Sequence, residues 1–504
     1  MASEHLDVVI IGAGISGIGA AVHLKQECPS KSFAILEGRA DIGGTWSLFK
    51  YPGIRSDSDM YTLGFRFKPW TSRKAIADGP AIMSYLRETV DQFGLASSIR
   101  HEHRVTHASW DSESAQWTLH GTRGPDKDPL TITCNVLLSC TGYYDYDKGY
   151  TPDFRGMSSF KGQIVHPQHW PDDLDYRGKT VVVIGSGATA VTLIPAMIDN
   201  GAGHVTMLQR TPTYMVSRPS EDKFATRLQD WLPAKSAYAI TRWRNVLQQQ
   251  FMFSMMRKKP EKAKESLIKM VADELGPDYD IATHFTPPYN PWDQRLCLVP
   301  DSDIFRVIRD GQANIVTDHI DTFTENGIKL KSGKELPADI IVTATGLNMQ
   351  MLSGMALTID GVPTHVSQHV LYKGIMFSNI PNLLMWFGYT NASWTLKADL
   401  TSEYACRLIN HMDQTGTRIV TPALAEHPAE LEDFVTDFSS GYFARVMDQL
   451  PKQGKAHPWK LFQNYRKDVK LLRKGTLDDG TLMFAKPHKV AANAELEPML
   501  EAAE

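Results

Sequence analysis

The sequence has no long apolar run, few cysteines and no excess of positive charge, and each shortage disfavours a class of protein. No stretch approaches the roughly 20 apolar residues of a transmembrane helix, so we expect no transmembrane segment. The N-terminal MASEHLDVVIIGAG lacks the basic segment of a secretory signal, so we expect none. A net charge of −4 gives no reason to expect a nucleic-acid partner.

The five cysteines form no CxxC pair, which argues against a disulfide framework and against a zinc site. We therefore expect no metal centre and a cytoplasmic location. What remains is an ordinary globular composition, with 42% hydrophobic and 22% charged residues. Because 504 residues exceed what one core usually holds, two or three domains are predicted.

A strand–turn–helix unit near the start has the pattern of a dinucleotide site. The apolar run Leu6 to Ile11 predicts a buried parallel strand, and the turn GAGISG follows it. Here Gly12 permits the tight turn, Gly14 lets the backbone approach a pyrophosphate, and Gly17 lets the helix pack closely on the sheet. Glu37 ends the next strand, about 20 residues further on, where an acid accepts hydrogen bonds from ribose hydroxyls.

A second copy of this unit begins at Thr180. TVVVI predicts a strand, GSGATA is the turn, and a helix and the strand HVTMLQR follow. The position of the acid is taken by Arg210, followed by Thr211. An acid would repel a 2′-phosphate whereas a guanidinium pairs with it, so this copy favours NADP over NAD. The turn residues expected at the cofactor are Gly185, Ser186, Gly187, Ala188, Thr189 and Ala190.

Two further apolar strands, in NVLLSCTGYY (135–144) and DIIVTATGLN (339–348), end in Thr-Gly, and each is predicted to close one nucleotide-binding domain. The predicted fold class is α/β, with two dinucleotide-binding, Rossmann-like domains and the first domain split around the second. The predicted boundaries are 1–147 for the first domain, 151–336 for the second with a helical insert at about 217–283, and 337–504 for the return to the first domain and the C-terminal region.

Two segments carry a resemblance to a known family. GGTWSLFKYPGIRSD, residues 43–57, is similar to the flavin-contacting segment of class B flavoprotein monooxygenases. FKGQIVHPQHWP, residues 160–171, resembles the FxGxxxHxxxW(P/D) fingerprint of type I Baeyer–Villiger monooxygenases, whereas the sister flavin-containing monooxygenases usually have Tyr at the position of Trp170. The matching positions are Phe160, Gly162, His166, Trp170 and Pro171. Further stretches, among them GYTNASWTLKADL, resemble bacterial thioamide-oxidising members of the class, so the likeness covers nearly the whole chain.

The resemblance implies FAD in the first domain, NADPH in the second, and a linker between them whose His166 couples the two. The implied FAD contacts are Gly12, Gly14, Ser16, Gly17, Glu37, Gly44, Thr45, Trp46, Asp57 and Val105. The implied NADP contacts are Arg55 and Ser56, together with the second glycine turn, Arg210 and Thr211. A helix that begins near Trp394 is expected to direct its N-terminus at the flavin, where its dipole would stabilise the reduced anion.

The family's catalytic arginine corresponds to Arg295, within NPWDQRLCLVP, and the carboxylate that orients it corresponds to Asp57. An arginine suits an anionic intermediate because it stays ionised and donates in a rigid fork. One position departs from some relatives, which have a Lys that helps to hold the 2′-phosphate where this chain has Gln294. That departure leaves Arg210 and Thr211 as the expected main contacts of the phosphate.

The implied activity has two halves. NADPH reduces FAD, O2 then adds at C4a to give a peroxyflavin, and this species oxidises a small ketone to an ester or lactone, with sulfoxidation as a side activity. The alternative is a flavin-containing monooxygenase whose main substrates are thioamides, sulfides or amines. A third alternative is a non-catalytic FAD redox sensor, against which the presence of Arg295, Asp57 and both glycine turns argues.

The segment 237–266 is helical in character, aromatic, Met-rich and basic. A basic amphipathic helix can lie on a membrane surface, which makes peripheral membrane contact one interpretation. The other is a helical insert packed on the protein with its Lys and Arg solvated, and we favour this second interpretation.

Overall fold

A nine-stranded sheet forms the first half of the molecule. The structure is a computed structural model that describes residues 4–424, 430–436 and 441–487. In order across the sheet the strands are Val362–Thr364, Ala356–Ile359, His103–Asp111, Gln116–Arg123, Asp128–Ser139, Glu4–Ile11, Phe33–Leu36 and Ile99–Arg100, and Leu383–Met385 also pairs with Asp128–Ser139. Glu4–Ile11 is parallel to both of its neighbours.

The strand Glu4–Ile11 is apolar along most of its length because both faces of the sheet are covered. Val8 and Ile10 belong to one buried apolar cluster, and Val9 and Ile11 belong to another on the opposite face. Successive side chains of a strand point to opposite faces, so a strand covered twice needs apolar residues at consecutive positions.

A parallel five-stranded sheet forms the second half, in the order Ala313–Thr317, His204–Gln209, Thr180–Ile184, Ile340–Thr343 and Gln163–Val165. Its central strand is also covered on both faces by two different apolar clusters. Ile340–Thr343 pairs directly with Thr180–Ile184, so the boundary predicted at residue 336 comes one strand too early.

The remaining strands form small sheets, and helices cover both large ones. Ile320–Thr324, Gly327–Leu330 and Glu335–Pro337 form a three-stranded sheet, and the two-stranded pairs are Met215–Arg218 with Cys297–Pro300, Tyr144–Gly149 with Leu347–Met349, Leu371–Tyr372 with Met376–Phe377, Ile419–Pro422 with Leu482–Ala485, and Leu431–Glu432 with Gln453–Gly454. The α-helices are α1 Ile15–Glu27, α2 Thr45–Leu48, α3 Met60–Leu63, α4 Gly79–Gln92, α5 Ala188–Asp199, α6 Lys223–Trp231, α7 Ala234–Lys258, α8 Pro260–Leu275, α9 Ile281–His284, α10 Asp303–Arg309, α11 Trp394–Thr415, α12 Gly441–Ala444 and α13 Tyr465–Asp468.

Two adjacent segments connect the large sheets. Tyr144–Gly149 leads from the first sheet to the second, and Leu347–Met349 leads back. The two segments pair antiparallel, so a two-stranded ribbon joins the sheets. The carboxyl end of Glu4–Ile11 and the start of α5, which follows the central strand of the second sheet, lie beside one cleft.

The region of the predicted insert is helical and contains α6 to α9, and α7 packs on the first half of the molecule. The buried Arg242 of α7 donates hydrogen bonds to the carbonyls of Tyr61, Thr62 and Gly64 at 2.9, 3.2 and 2.7 Å and lies 3.3 Å from Asp399. One face of α7 is thus packed on the protein, as we expected of the insert. Within the described ranges, no helix has both the length and the apolarity needed to cross a bilayer.

Candidate functional site

A cleft of about 370 Å³ lies between the two large sheets, and both glycine-rich units contribute to its wall. From the first unit it is lined by Gly12, Gly14 and Ser16, and from the second by Ala188 and Thr189. One cavity is therefore bordered by residues of both units.

The first turn has the backbone geometry that its glycines predict. Gly12 has φ of +100°, and a Cβ there would lie 2.8 Å from the carbonyl oxygen of Cys140. A Cβ at Gly17 would lie 1.9 Å from the carbonyl oxygen of Gly12, so the helix packs closely on the turn. Gly14 is the N-cap of α1 and has no side chain to cap it, which leaves the first N–H groups of the helix for an anionic ligand.

Glu37 lines the cleft, but both of its oxygens already accept backbone hydrogen bonds. Oε2 accepts from the N–H of Ala13 at 2.7 Å and Oε1 from the N–H of Arg39 at 3.0 Å. Burial raises the pKa of this carboxyl above its ordinary value. Each oxygen has a second lone pair, so the expected bond to a ribose hydroxyl stays a prediction.

The other residues expected at FAD also lie on the cleft wall. Ser16 accepts a hydrogen bond from Trp394 Nε1 at 2.7 Å, and a Cβ at Gly44, which has φ of +56°, would lie 3.2 Å from the Tyr146 hydroxyl. The wall further contains Thr45, Trp46, Asp57 and Val105.

The second turn repeats the geometry of the first. Gly185 has φ of +130°, and a Cβ there would lie 2.3 Å from the carbonyl oxygen of Ala344. Gly187, the N-cap of α5, faces open space, because a Cβ there would meet no atom within 4 Å. Ser186 donates a hydrogen bond to the carbonyl of Thr211 at 2.9 Å, which ties the turn to the residue after Arg210.

Arg210 is exposed at the end of the strand His204–Gln209. Its side chain forms no hydrogen bond or ion pair with any residue that the structure describes. An exposed guanidinium beside an open helix N-terminus suits a phosphate group. Arg55 differs, because its guanidinium pairs with Asp303, and the buried Ser56 donates to the carbonyl of Ser58 at 2.7 Å. Contact of Arg55 and Ser56 with NADP stays a prediction.

Arg295 and Asp57 form an ion pair in the cleft wall. Arg295 Nη1 lies 2.7 Å from Asp57 Oδ2, and the two side chains are 39% and 35% exposed because they face the cavity. The charge of Asp57 raises the pKa of Arg295 further above its ordinary value, so the guanidinium is a fixed cation. The pair joins residues 238 positions apart in the chain.

Two tyrosines that the sequence analysis did not select lie beside this ion pair. The hydroxyls of Tyr143 and Tyr144 are 3.2 Å apart, and both side chains line the cleft. Burial raises the pKa of each phenol, and the charge of Arg295 opposes that rise only in part. The signal was present in the sequence, since the pair directly follows Thr141 and Gly142 at the end of a predicted strand.

The fingerprint segment lies at the ribbon that connects the sheets. His166 Nε2 donates to the carbonyl of Gly346 at 3.1 Å, while Nδ1 accepts from the N–H of Gln168 at 3.1 Å. Burial lowers the pKa of His166, which favours the neutral imidazole that these two bonds require. A Cβ at Gly149 would lie 2.1 Å from the His166 ring, so the imidazole packs directly on the ribbon.

The other fingerprint residues pack the segment into place. Phe160 is buried in an apolar cluster of the second sheet, and a Cβ at Gly162 would lie 2.2 Å from the carbonyl oxygen of Asp339. Trp170 packs edge-on against Tyr176 with ring centroids 6.3 Å apart, and Pro171 follows it, accepting a hydrogen bond from the N–H of Leu174 at 3.4 Å. None of these four residues lines the cleft in the described structure. The segment contains the edge strand Gln163–Val165 of the second sheet, and its role in coupling the two halves stays a prediction.

The helix α11 begins at Trp394, and both Ala392 and Trp394 line the cleft. Its N-terminus therefore faces the cavity. Lys397, one turn further on, is buried and forms an ion pair with Asp468 at 2.9 Å, so it belongs to the core and not to the site. Among the described residues, no three His, Cys, Asp or Glu side chains come together as metal ligands.

The sequence matches one family profile and one domain profile. The profile of the flavin-binding monooxygenase-like family matches residues 76–285, and that of an NAD(P)-binding Rossmann-like domain matches residues 10–78. The chain is 54% identical to "FAD-containing monooxygenase EthA" of Mycobacterium tuberculosis, over 96% of this chain and 98% of that protein. It is 49% identical to "Probable FAD-binding monooxygenase AlmA" of Acinetobacter sp., over 97% and 98%.

Solved structures share the fold at lower identity. A structure titled "Oxidized steroid monooxygenase bound to NADP" superposes with a TM-score of 0.74 at 21% identity, over 96% of this chain and 100% of that one. An open structure of cyclohexanone monooxygenase gives a TM-score of 0.69 at 21% identity, over 84% and 90%. Because the chain is similar over nearly its full length to the EthA and AlmA monooxygenases, it belongs to the flavin-binding monooxygenase-like family.

Proposed function

We propose that the protein is an FAD- and NADPH-dependent monooxygenase that oxidises ketones to esters or lactones by a Baeyer–Villiger reaction. The observation that carries the proposal is the ion pair of Arg295 and Asp57, which faces the cleft lined by both nucleotide turns. A fixed cation at that position suits a reaction in which negative charge develops on the substrate oxygen.

The residues present fit both cofactors. The uncapped start of α1 and the glycine backbone at Gly14, on the cleft wall, would hold the pyrophosphate of FAD, and Glu37 would bind its ribose. The start of α5 and the exposed Arg210 would hold NADPH through its phosphates. When bound, FAD would accept hydride from NADPH and activate O2.

Arg295 would bind the carbonyl oxygen of the substrate as that oxygen becomes negative. Its raised pKa means that the guanidinium keeps its proton through the reaction, so it acts by charge and hydrogen bonding and not as an acid. Asp57 would hold the guanidinium in orientation through the 2.7 Å contact. An arginine fixed before the reaction needs no reorganisation when the charge appears.

The surrounding side chains would exclude water from the site without adding a charge that opposes the positive charge of Arg295. The raised pKa values of Tyr143 and Tyr144 keep both phenols neutral at physiological pH, so they donate hydrogen bonds without adding negative charge. Tyr143 packs against Trp394 with ring centroids 5.4 Å apart, which makes this wall aromatic. The N-terminus of α11 adds a partial positive charge to the same wall.

The second candidate function is oxidation of the sulfur of thioamides or sulfides. It is favoured by the stretches, such as GYTNASWTLKADL, that resemble thioamide-oxidising bacterial members of the class. Trp170 in the fingerprint favours the ketone reaction instead. Both candidates use the same cofactors, so the product distinguishes them.

The test supplies the FAD-loaded protein with NADPH, isotopically labelled O2 and matched pairs of ketones and sulfides. We expect ketones to accelerate NADPH consumption and to yield esters that contain one labelled oxygen, as measured by mass spectrometry. Sulfoxides without esters would contradict the ketone reaction, and NADPH consumption that no substrate accelerates would contradict both candidates.

The same assay on Arg295→Ala tests the residue that carries the proposal. Removing one preorganised charge donor is expected to lower the rate of ester formation by roughly 100-fold or more, while FAD remains bound. Arg309→Ala is the matched control, because Arg309 pairs with Glu274 on the surface at 2.9 Å. Ester formation by Arg295→Ala at the parent rate would refute the assigned role.

A further inference from the structure

Exposed apolar side chains are concentrated on the helical insert. The described chain exposes eleven large apolar side chains, and eight of them lie on α6, α7 and α8. These eight are Phe224, Trp231, Ile240, Trp243, Leu247, Phe251, Met255 and Met270. Single exposed apolar residues are ordinary, but a group of this size on the three helices of one insert indicates an interaction surface.

Five of them form a row along α7, which we call the outer row: Ile240, Trp243, Leu247, Phe251 and Met255. Their spacing of three, four, four and four residues places them on one face of the helix. A different face, with Tyr238, Arg242 and Val246, is buried against the protein. The packing of α7 on the molecule therefore accounts for its inner face, and Trp243 also contacts the Tyr465 ring with centroids 5.8 Å apart. It does not account for the exposure of the outer row.

The charges of the same helix have one sign. The 26 residues from 234 to 259 contain six Lys and Arg and no Asp or Glu. Arg242, Arg244 and Arg257 are neutralised by ion pairs with Asp399, Asp222 and Asp293 of other segments.

The three lysines of this segment are different. Lys235, Lys258 and Lys259 are exposed and have no ion pair with any described residue. Lys235 lies at the start of α7 and the other two lie at its end. The outer row is thus bordered at both ends by free positive charge.

We propose that the outer row binds the surface of an anionic lipid bilayer. The apolar side chains would enter the boundary between headgroups and acyl chains, and the lysines would contact the anionic headgroups. A Trp and a Phe on the exposed face are typical of helices that lie in this interface.

A second copy of the chain fits this surface less well than lipid does. If two outer rows packed antiparallel across a two-fold axis, Lys235 of one copy would face Lys258 and Lys259 of the other. The helix has no acidic residue to pair with them, so like charges would meet at both ends of the contact. An anionic bilayer offers acyl chains to the apolar side chains of the outer row and negative headgroups to the lysines at its ends.

The position of α7 indicates how binding to lipid would serve the enzyme, and this inference rests on the proposed function. A cavity of about 320 Å³ lies between α7 and the start of α11, and its wall includes Gln250, Phe253 and Ser254. Ala392 lines both this cavity and the nucleotide cleft. An apolar substrate held in lipid would therefore have a short path from the outer row to the site.

The experiment measures binding of the full FAD-loaded chain to vesicles by sedimentation, with no substrate or NADPH, so its outcome is independent of the proposed reaction. We expect strong binding to phosphatidylcholine vesicles that contain phosphatidylglycerol, weak binding to phosphatidylcholine alone, and release by salt. Phe251→Glu and the double variant Lys258→Gln, Lys259→Gln should each weaken binding roughly tenfold or more.

Val362→Glu is the matched control, because Val362 is 64% exposed like Phe251, at 63%, but lies on the first sheet. It should bind vesicles as the parent does. Leu247→Gln provides a second change in the outer row, and the flavin spectrum and thermal melting of each variant show that it is folded. Absent binding, equal binding to neutral and anionic vesicles, or equal binding by the Phe251 and Val362 variants would overturn the proposal. A dimer in light scattering that Phe251→Glu dissociates would also overturn it and assign the row to a second copy.

Discussion

The exposed guanidinium of Arg210 determines, in our proposal, which nicotinamide cofactor the protein uses. Because its side chain has no partner within the described residues, its removal disturbs no other contact. We expect Arg210→Ala to raise the KM for NADPH roughly tenfold to 100-fold, since one charge-assisted contact to the 2′-phosphate is lost. The rate at saturating NADPH should change little, because this contact is equally present in the ground and transition states.

Steady-state kinetics with NADPH and NADH check this prediction. The KM for NADH should stay unchanged, because NADH has no 2′-phosphate. Arg177→Ala provides a control, since Arg177 is an exposed arginine of the same half of the molecule that pairs with Asp175 at 2.9 Å. An unchanged KM for NADPH, or equal changes for both cofactors, would contradict the role of Arg210.

At the scale of residues, the sequence predicts the backbone conformation of the turns better than it predicts which side chains contact each other. The positive φ of Gly12 and Gly185 follows from the local motif, because the tight turn requires it. The pairing of Arg55 with Asp303 spans 248 positions and depends on how α10 packs, which no local pattern records. The sequence likewise places Tyr143 and Tyr144 after a predicted strand but does not predict that they lie beside Arg295.

The helices α1, α7 and α11 meet at a buried cluster of charges. His23 of α1 is hydrogen-bonded to Glu27 at 2.7 Å and lies 3.7 Å from Asp399 of α11, which also contacts Arg242 of α7 at 3.3 Å. Burial lowers the pKa of His23, but the interactions with Asp399 and Glu27 outweigh burial and raise that pKa to about 9. The imidazolium thus helps to hold three helices together.

The raised pKa of His23 predicts a loss of stability at alkaline pH. The unfolded chain has a histidine pKa of about 6.5, so the contribution of His23 is complete below that pH. It is lost as pH rises through the folded pKa of about 9. The loss amounts to at most about 3 kcal/mol of the free energy of unfolding.

Thermal melting of the FAD-loaded protein between pH 6 and pH 10 measures this effect. His23→Gln is the informative variant, because a neutral amide cannot titrate. It should be less stable than the parent near pH 6, and it should lose much less stability between pH 6.5 and pH 9. Parallel curves for parent and variant across this window would show that other groups cause the decline.

At the scale of elements, spacing alone predicted the nucleotide units. The helices α1 and α5 begin within each glycine motif because the turn fixes where the chain can start a helix. The helical insert was also predicted, but the division of α7 into a packed face and an outer row was not. That division depends on where α3 and α11 lie, and residues on both faces of α7 are apolar.

For the whole molecule, the sequence indicated two parallel nucleotide units but not how they join. The boundary at 336 was misplaced because Ile340–Thr343 belongs to the second sheet although it precedes the return to the first by only a few residues. The antiparallel hairpins of the nine-stranded sheet were also not predicted. Strand order depends on pairings between distant segments, which the local apolar pattern does not encode.

The ribbon between the sheets is a point at which a small change would act on both halves of the site. A Cβ at Gly149 would lie 2.1 Å from the His166 ring, so Gly149→Ala must displace the imidazole and strain its 3.1 Å bond to Gly346. We expect FAD to stay bound, because the first glycine turn is untouched. The rate at which NADPH reduces the flavin should fall roughly tenfold, because the two nucleotide units would no longer be aligned.

Stopped-flow reduction without O2 measures that rate, and a double variant identifies the cause of its change. If the clash with the ring is responsible, Gly149→Ala combined with His166→Ala should reduce flavin at the rate of His166→Ala alone, since the methyl group then meets no imidazole. If the two effects instead multiply, Gly149 acts independently of His166, and the ring is not what transmits a change in the ribbon to the cleft. The coupling between the halves would then lie in the paired strands Tyr144–Gly149 and Leu347–Met349 themselves.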